Sequence, residues 1–486
     1  MTIPKEVKQI LEKLEENGFE GFIVGGCVRD LMLDQTPADW DITTNAKPEE
    51  IQKIFPDSFC ENEFGTVGVK MRNKESLPNA DIEIVEVTTY RTESKYTDKR
   101  HPDEIKFTQK LEDDLKRRDF TINAIAMDKN GRITDLFGGQ EDLKEKTIRA
   151  VGDPEERLSE DALRLMRAVR LTCQLGFTIE PATLEAIKKQ SRQLKEISAE
   201  RIRDELIKII NSSRAPEGVE LLRESTLLEF VIPELLEGVG IEQNLHHIYT
   251  VWEHNLRALK YATEQEYSLE VRLGSLLHDV GKPKSKRGTG RNSTFYGHEV
   301  IGAKITAKIM DRLRFPKEQA DKITKLVRWH LFYYNPGEVT ESSVRRLVAH
   351  IGQENVQDLL KVREADRIGS GVPKAIPYKL RHLKFMIDKV ARDPISPKML
   401  KINGTEIMAL LSLPPSPKIG LIMNALMEEV LEEPAKNSKG LLEKRVKELN
   451  ELSEEKLKEL AQAGKSKLKE EEEKEIEQIK QKHYVK

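Results

Sequence analysis

Phe22-Ile23-Val24-Gly25-Gly26-Cys27-Val28-Arg29-Asp30, followed shortly by Asp39-Trp40-Asp41, is the stretch on which the reading of the N-terminal part of this chain turns. Phe22-Ile23-Val24 is a short apolar run suited to a buried strand. Gly25 and Gly26 let the following turn bring backbone N–H groups close to a polyphosphate, and Arg29 stands where a basic fork can hold the same phosphates. In an extended strand residues i and i+2 project from one face, so Asp39 and Asp41 can share a divalent cation while Trp40 points away. Carboxylate oxygens completed by substrate phosphates suit Mg²⁺. Two such ions about 3.5 to 4 Å apart can activate an attacking hydroxyl and stabilise a leaving pyrophosphate. A Gly-Gly turn or a solvated Asp-x-Asp pair says little alone; turn, arginine and pair in this order point to nucleotidyl transfer.

Working outward, residues 4–17 read as an amphipathic helix, and the alternating apolar stretches 20–24, 66–71 and 81–88 read as strands of one mixed sheet. The stretch from Tyr90 to Asp113 is charged, contains Pro102 and has little hydrophobic periodicity, so it reads as a mobile loop between strand and helix. From Ser159 the pattern is nearly all helical, with helices expected over 160–175, 181–190 and 199–210. A second change of composition comes at 238–247 and opens another helical block that runs to about residue 395. The final section begins near Leu400 and includes Pro414-Pro415-Ser416-Pro417, and residues 465–486 are a Lys/Glu run that reads as a frayed, solvated helix.

A chain of 486 residues exceeds what one hydrophobic core organises, so several modules are expected. With 38% hydrophobic and 34% charged residues, it reads as a soluble protein with wide solvated faces. No secretory segment stands at Met1-Thr2-Ile3-Pro4-Lys5 and no apolar run is long enough to span a bilayer, which gives a cytoplasmic expectation with no membrane partner. Cys27, Cys60 and Cys173 are far apart and lack metal-ligand spacing, so they read as small core or loop residues rather than a disulfide framework. The net charge of −3 advertises no polyanion partner, so any RNA site must be a local basic patch.

The Gly25–Asp41 segment resembles motif A of the class II CCA-adding and bacterial poly(A) polymerase nucleotidyltransferases, within the polymerase-beta-like superfamily. The resemblance continues through Ile82-Glu83-Ile84-Val85-Glu86-Val87-Thr88-Thr89-Tyr90-Arg91, Arg117-Arg118-Asp119-Phe120-Thr121-Ile122-Asn123-Ala124, Asp135-Leu136-Phe137-Gly138-Gly139 and Glu160-Asp161-Ala162-Leu163-Arg164. It implies an α+β protein whose polymerase-beta-like head, with its mixed sheet, is followed by mainly α-helical neck, HD and C-terminal domains. The corresponding spans are 1–150, 151–238, 239–395 and 396–464, with a charged tail at 465–486.

The same resemblance assigns roles that the residues alone leave open. Glu86 reads by itself as a salt-bridged surface carboxylate; the resemblance makes it a third acidic group beside Asp39 and Asp41. Arg117 and Arg118 precede Asp119 at an expected helix start, and the resemblance makes one or both contacts to phosphate or ribose, with Asp119 and Asn123 in the same nucleotide site as Gly25, Gly26 and Arg29. Asp135 with Gly138-Gly139 reads as a structural turn. Asp161, Arg164, Arg167 and Arg170 recur at three-residue spacing, which by pattern alone is an ion-paired helix face. By resemblance Asp161 and Arg164 read the incoming base, with Arg167 and Arg170 near nucleotide or phosphate. Cytosine and adenine both offer an amino donor beside a ring-nitrogen acceptor, which a carboxylate and a guanidinium satisfy together. Guanine and uracil present the opposite polarity and would leave buried groups unpaired. The 90–113 loop corresponds to the flexible element that helps such enzymes switch from C to A.

A second chemistry stands apart. His254, His278-Asp279, His298, His330 and Asp366 follow the order of an HD-type metal phosphohydrolase, centred on Leu276-Leu277-His278-Asp279-Val280-Gly281-Lys282. One His-Asp pair is more often a core feature, but six ligands in order favour metal, and imidazole with carboxylate suits Mn²⁺, Ni²⁺, Fe²⁺ or Zn²⁺. The expectation is therefore a template-independent enzyme that adds C, C and A to the tRNA 3′ acceptor end from CTP and ATP, with Mg²⁺ in the head and a second phosphohydrolase activity in the HD block. Competing readings are a poly(A) polymerase, a paralogue adding only A or only CC, and an HD phosphohydrolase or RNA-binding regulator with an inactive head.

Overall fold

The computed structural model describes residues 3–60, 65–71, 83–94, 104–243, 248–289, 292–332, 334–336, 338–372, 375–390 and 399–460, so the charged tail expected at 465–486 lies outside the described residues. The chain divides into two compact units, Met1–Leu236 with Arg312–Phe315, and Glu237–Asp311 with Pro316–Lys486.

In the first unit α1 (Lys5–Glu16) buries Val7, Ile10, Leu11 and Leu14, the spacing of one helical stripe. Then come β1 (Gly21–Val24), α2 (Gly26–Met32), β2 (Asp41–Thr44), α3 (Pro48–Ile54), β3 (Ser58–Cys60), β4 (Thr66–Met71) and β5 (Glu83–Thr89). After them follow β6 (Arg91–Ser94), β7 (Glu104–Phe107), α4 (Leu111–Lys116), β8 (Ile125–Met127), β9 (Ile133–Asp135) and α5 (Gly139–Lys144). Seven strands form one mixed sheet in the order β3-β4-β5-β2-β1-β8-β9, with β2 and β5 parallel and the other neighbours antiparallel. The parallel pair puts Asp41 opposite Glu86.

Three local expectations are corrected. Asp39 precedes β2 instead of lying in it, and Trp40 between the two carboxylates is buried. The 90–113 stretch is not a bare loop, because β6 and β7 pair as an antiparallel ribbon and α4 occupies its far end. Backbone pairing builds that ribbon from charged residues, so no apolar alternation announced it; residues 95–103 between its strands lie outside the described residues. Finally, the helix expected over 160–175 is two helices.

After β10 (Thr147–Ile148), α6 (Pro154–Glu160) ends at Asp161, whose extended backbone (φ −130°, ψ 108°) breaks the helical run before α7 (Leu163–Leu175). Asp161 Oδ1 accepts from the Leu163 amide at 2.9 Å, the competition between a short polar side chain and the helix that makes aspartate a helix-start residue. Asp161 is therefore off the helix that carries Arg164, Arg167 and Arg170. β11 (Thr178–Ile179) pairs parallel with β10, and α8 (Pro181–Gln190), α9 (Ala199–Ile210), α10 (Ala215–Glu224) and α11 (Leu228–Val231) complete the unit.

The second unit is helical: α12 (Val251–Glu264), α13 (Leu269–Leu277), α14 (Lys282–Ser285), α15 (His298–Arg312), α16 (Lys317–Trp329), α17 (Glu341–Ile351), α18 (Val356–Gly369), α19 (Tyr378–Val390), α20 (Gly404–Leu411), α21 (Pro417–Glu432) and α22 (Lys439–Asn450). α13 is buried continuously from Val271 to Leu277, so it is the central helix around which α12, α16 and α18 pack. One hydrophobic core continues from Val271 through Val348, Leu383 and Leu426 to Leu457. No helix among the described residues is long and apolar enough to cross a membrane.

Candidate functional site

In the head, Gly25 has φ +86° and ψ −137°, a conformation open to glycine, and so turns the chain sharply from β1 into α2. A Cβ on Gly25 would lie 3.1 Å from Arg118 Nη1 and 3.5 Å from Asp41 Oδ2. The glycine turn, one arginine and one strand carboxylate therefore meet at a point. Asp41 is half-buried at the start of β2, whereas Asp39 and Glu86 are exposed beside it in sequence and in strand register. The Nε of Arg118 is buried without a hydrogen-bond partner, a donor suited to an incoming anion.

The two adjacent arginines are held by a carboxylate that sequence reasoning missed. Asp114 on α4 is fully buried; it receives Arg117 Nε at 2.9 Å, Arg118 Nη2 at 3.3 Å and the Thr43 hydroxyl at 3.1 Å. Burial opposes its charge, but the Arg117 and Arg118 guanidinium groups outweigh that and hold its carboxyl below the ordinary range. The only sequence signal was its spacing, three and four residues before the arginines.

Arg29 donates to Asn123 Oδ1 at 2.8 Å and to Asp30 at 2.7 Å, and Asn123 in turn donates to Asp119 at 3.2 Å. Asp119 also accepts from the Phe120 amide, and its other oxygen forms an ion pair with Arg167 at 2.8 Å. Burial is again outweighed, here by Arg167 and Arg164, and the carboxyl sits low. Asp119 follows α4, two residues before a 3₁₀ turn at Thr121–Asn123, and through Asn123 on one side and Arg167 on the other it is a junction between Arg29 and the neck helix α7. Asp135 accepts the Gly139 and Gln140 amides, the turn role expected of it.

The expected base-reading residues have other partners here. Asp161 Oδ2 pairs with Arg201 Nη2 of α9 at 2.9 Å. Arg164 pairs with Glu160 and donates to the backbone carbonyls of Arg157 at 2.7 Å and Arg117 at 3.1 Å. Arg170 pairs with Glu205 at 2.7 Å; burial lowers its pKa despite that carboxylate. Arg201 and Glu205 were not legible, because each pairs with a segment far away in sequence, whereas Glu160 stands only four residues before Arg164. Cys27 and Cys173 are buried free thiols pushed up to about 11 and about 12 by burial, and so are inert packing residues, while Cys60 is exposed.

In the second unit all six expected ligands converge. Asp279 Oδ2 lies 3.2 Å from both His254 Nε2 and His278 Nε2, and its Oδ1 lies 3.2 Å from His298 Nε2 and 3.7 Å from His330 Nε2. Asp366 Oδ1 stands 3.2 Å from His254 and 3.6 Å from His278. The six therefore form two groups, His254, His278 and Asp366 on one side and Asp279, His298 and His330 on the other, with the Asp279 carboxylate facing both. The Nδ1 atoms of His278, His298 and His330 each lie 2.7 Å from the carbonyl three residues earlier, which fixes the rings and turns every Nε2 inward. Gly281 makes this meeting sterically feasible: a Cβ there would lie 2.1 Å from the His298 carbonyl.

All six are buried. Burial disfavours a charged His278, yet Asp279 and Asp366 raise it to about 10, and burial with the neighbouring imidazoles drives His330 well below its ordinary value. Rings held a few ångströms apart with inward Nε2 atoms, beside two charged carboxylates, are a donor set that a divalent cation fits once it displaces the His278 proton. Lys282 and Arg363, each three residues from a ligand, hold Asp279 and Asp366 at 2.5 Å, and Lys282 also reaches Gln243 at 2.6 Å. Among the described residues these two clusters are the groups of three or more acid, imidazole or thiol side chains close enough to share an ion.

Residues 21–149 match the poly A polymerase head domain, 176–238 match the probable RNA and SrmB-binding site of polymerase A, and 251–368 match the HD domain. The chain is 33% identical over 448 residues to the CCA-adding enzyme of Enterococcus faecalis, covering 91% of this chain and 96% of that protein. It is 37% identical over 333 residues to the A-adding tRNA nucleotidyltransferase of Deinococcus radiodurans, covering 65% of this chain and 75% of the relative. Matches to some other CCA-adding enzymes span about half the length of those proteins, 54% in one case at 50% identity. Among solved structures, the Bacillus stearothermophilus CCA-adding enzyme in complex with CTP superposes with a TM-score of 0.68 at 27% identity, covering 93% of this chain and 98% of that one.

Proposed function

We propose, from the premise that this chain belongs to the family of CCA-adding enzymes, a nucleotidyltransferase family, that it completes tRNA 3′ ends by adding C, C and A from CTP and ATP. The observation that carries this reading is the meeting of the Gly25 turn, the Arg118 guanidinium and the Asp41 carboxylate. Asp39 and Asp41, with Glu86 on the neighbouring strand, would hold Mg²⁺, which supplies activation of the attacking hydroxyl and neutralisation of the departing pyrophosphate. Backbone N–H groups of the turn, Arg118 and Arg29 receive the triphosphate and keep its α-phosphate in line with the terminal ribose hydroxyl. Attack there forms the new P–O bond, the hydroxyl proton is lost, and pyrophosphate leaves. Such chemistry rests chiefly on positioning and charge.

Asp161, held by Arg201, presents an acceptor to the base edge, and Arg164 presents a donor fork once Glu160 gives way to it. Asp41→Ala should abolish incorporation of both labelled CMP and AMP into tRNA lacking its CCA end, while tRNA binding persists. Near-normal incorporation by that purified variant would sink the assignment. Supplying CTP and ATP separately distinguishes full CCA addition from A-only or CC-only addition.

A second reading concerns the HD block, favoured by the Asp279 carboxylate facing two ligand groups. His254, His278 and Asp366 would hold one divalent ion, and His298 and His330 another, with Asp279 shared. Such a pair would supply activation of an attacking water and charge neutralisation for a phosphoester. The protein's part is to fix the ligands, through the three backbone carbonyls, Lys282 and Arg363.

A further inference from the structure

α19 has two apolar stripes where a surface helix needs one. Leu380, Leu383, Ile387 and Val390 are buried in the core of the second unit. Tyr378, Arg381, His382 and Phe385 recur at i, i+3, i+4 and i+7, so they form a separate stripe. Tyr378 is 63% exposed and Phe385 61%, the two most exposed aromatic side chains among the described residues. Both flank the His382 ring, with centroids 5.9 Å and 6.1 Å away, and Tyr334 adds a third ring at 5.8 Å. The Tyr334 hydroxyl is hydrogen-bonded to His382 Nδ1, which fixes the imidazole between them.

The charge on this helix is predominantly positive. From Tyr378 to Val390 it carries Lys379, Arg381, Lys384 and Lys389 against Asp388 alone, in a chain whose net charge is −3. Lys384 and Lys389 are committed to Glu364 and Glu341, at 2.8 Å and 2.5 Å. Lys379 and Arg381 are exposed and make no ion pair among the described residues. Exposed rings interleaved with unpaired cations match an unpaired RNA strand, whose bases stack on aromatic faces while its phosphates meet the cations. A protein partner's apolar face would be served by the rings but would leave the two cations unused.

We propose that the Tyr378–His382–Phe385 face of α19, with Lys379 and Arg381, is a stacking platform for unpaired nucleotides of the tRNA substrate. This rests on the tRNA nucleotidyltransferase reading and adds to it a contact surface remote in sequence from the head motifs. Substituting exposed side chains leaves the Leu380, Leu383 and Ile387 core face intact, so folding is preserved.

The test measures binding of a tRNA transcript lacking CCA, by anisotropy across a salt series, for wild type, Tyr378→Ala/Phe385→Ala and Lys379→Ala/Arg381→Ala. The aromatic variant should bind about 5- to 150-fold more weakly for each stacked base lost, with an unchanged salt slope. The basic variant should flatten the slope of log K against log salt by about 0.7 for each cation removed. A blunt RNA duplex should distinguish none of the three proteins. Wild-type affinity and slope in both variants, with CMP and AMP still incorporated, overturns the platform and leaves the nucleotidyltransferase reading standing. Absence of both incorporation and tRNA binding in the wild type overturns that reading as well. Loss of concentration-dependent self-association in the aromatic variant, with tRNA binding intact, would assign the face to a second copy of the chain and also overturn the proposal.

Discussion

Asp114 is a fully buried carboxylate that ties two arginines to β2 through Thr43, so removing it leaves two guanidinium groups without their shared counter-ion beside the proposed phosphate site. Breaking a buried pair from one side costs about 3 kcal/mol or more. Asp114→Ala should therefore lower the thermal midpoint of the head and reduce incorporation of CMP and AMP together, since Arg118 loses its anchor. The pH dependence has a definite sign. The folded carboxyl is held below its unfolded value near 4, so its stabilisation is fully present above that pH and fades as pH falls through the folded value. The difference in midpoint between wild type and Asp114→Asn should be largest near pH 7 and shrink on acidification; a difference that grows toward pH 3 would contradict the assignment. At this scale the sequence disclosed residues whose partners are neighbours in the chain. Gly25 was legible because a strand-to-turn step needs a positive φ, but the Thr43–Asp114 bond joins segments that only the folded sheet brings together.

The break at Asp161 decides how the neck presents its charges. A continuous helix would have put Asp161 on the face of Arg164; the extended residue instead leaves Arg164 at the first turn of α7 and swings the Asp161 carboxylate to Arg201 on α9. On the base-reading proposal Arg201 positions Asp161, and the two should separate kinetically. Asp161→Ala should impair C and A addition together and relax exclusion of UTP and GTP, because only half of the donor–acceptor pattern is then enforced. A buried polar mismatch is worth about 1 to 3 kcal/mol, so discrimination should fall by about 5- to 150-fold. Arg201→Ala should raise KM for CTP and ATP alike while discrimination holds, since the carboxylate is present but no longer held. Wild-type KM for both nucleotides would show that the ion pair plays no part. Helix periodicity showed α8 and α9 and the apolar stripe of α7, since those depend on local spacing. It could not show a one-residue interruption made by a side chain capping the next helix, nor a ribbon of charged residues held by backbone bonds.

Across the whole molecule, two candidate sites with different ligand types occupy two compact units. The head offers exposed or half-exposed carboxylates at β2 and β5, two strands in the interior of its sheet, whereas the HD block encloses four imidazoles and two carboxylates in a buried cluster. The order of the HD ligands was legible because each carries a distinctive residue type. The division into two groups about Asp279 was not, because it depends on Gly281 letting the start of α15 approach the end of α13. If the cluster holds divalent ions independently of the head, substitution there should divide the protein's activities. Asp366→Asn and the double change His278→Ala/Asp279→Ala should lower the metal retained per chain, measured by elemental mass spectrometry. They should also remove Mn²⁺- or Ni²⁺-dependent hydrolysis of phosphoesters, while CMP and AMP incorporation stays within about twofold. The milder Asp366 change guards against a merely unfolded double variant, and an unchanged head melting transition confirms it. Loss of incorporation in a folded, metal-depleted variant would make the cluster a support for the transferase, and a wild type that hydrolyses no phosphoester with any divalent ion would leave it a metal-bound scaffold.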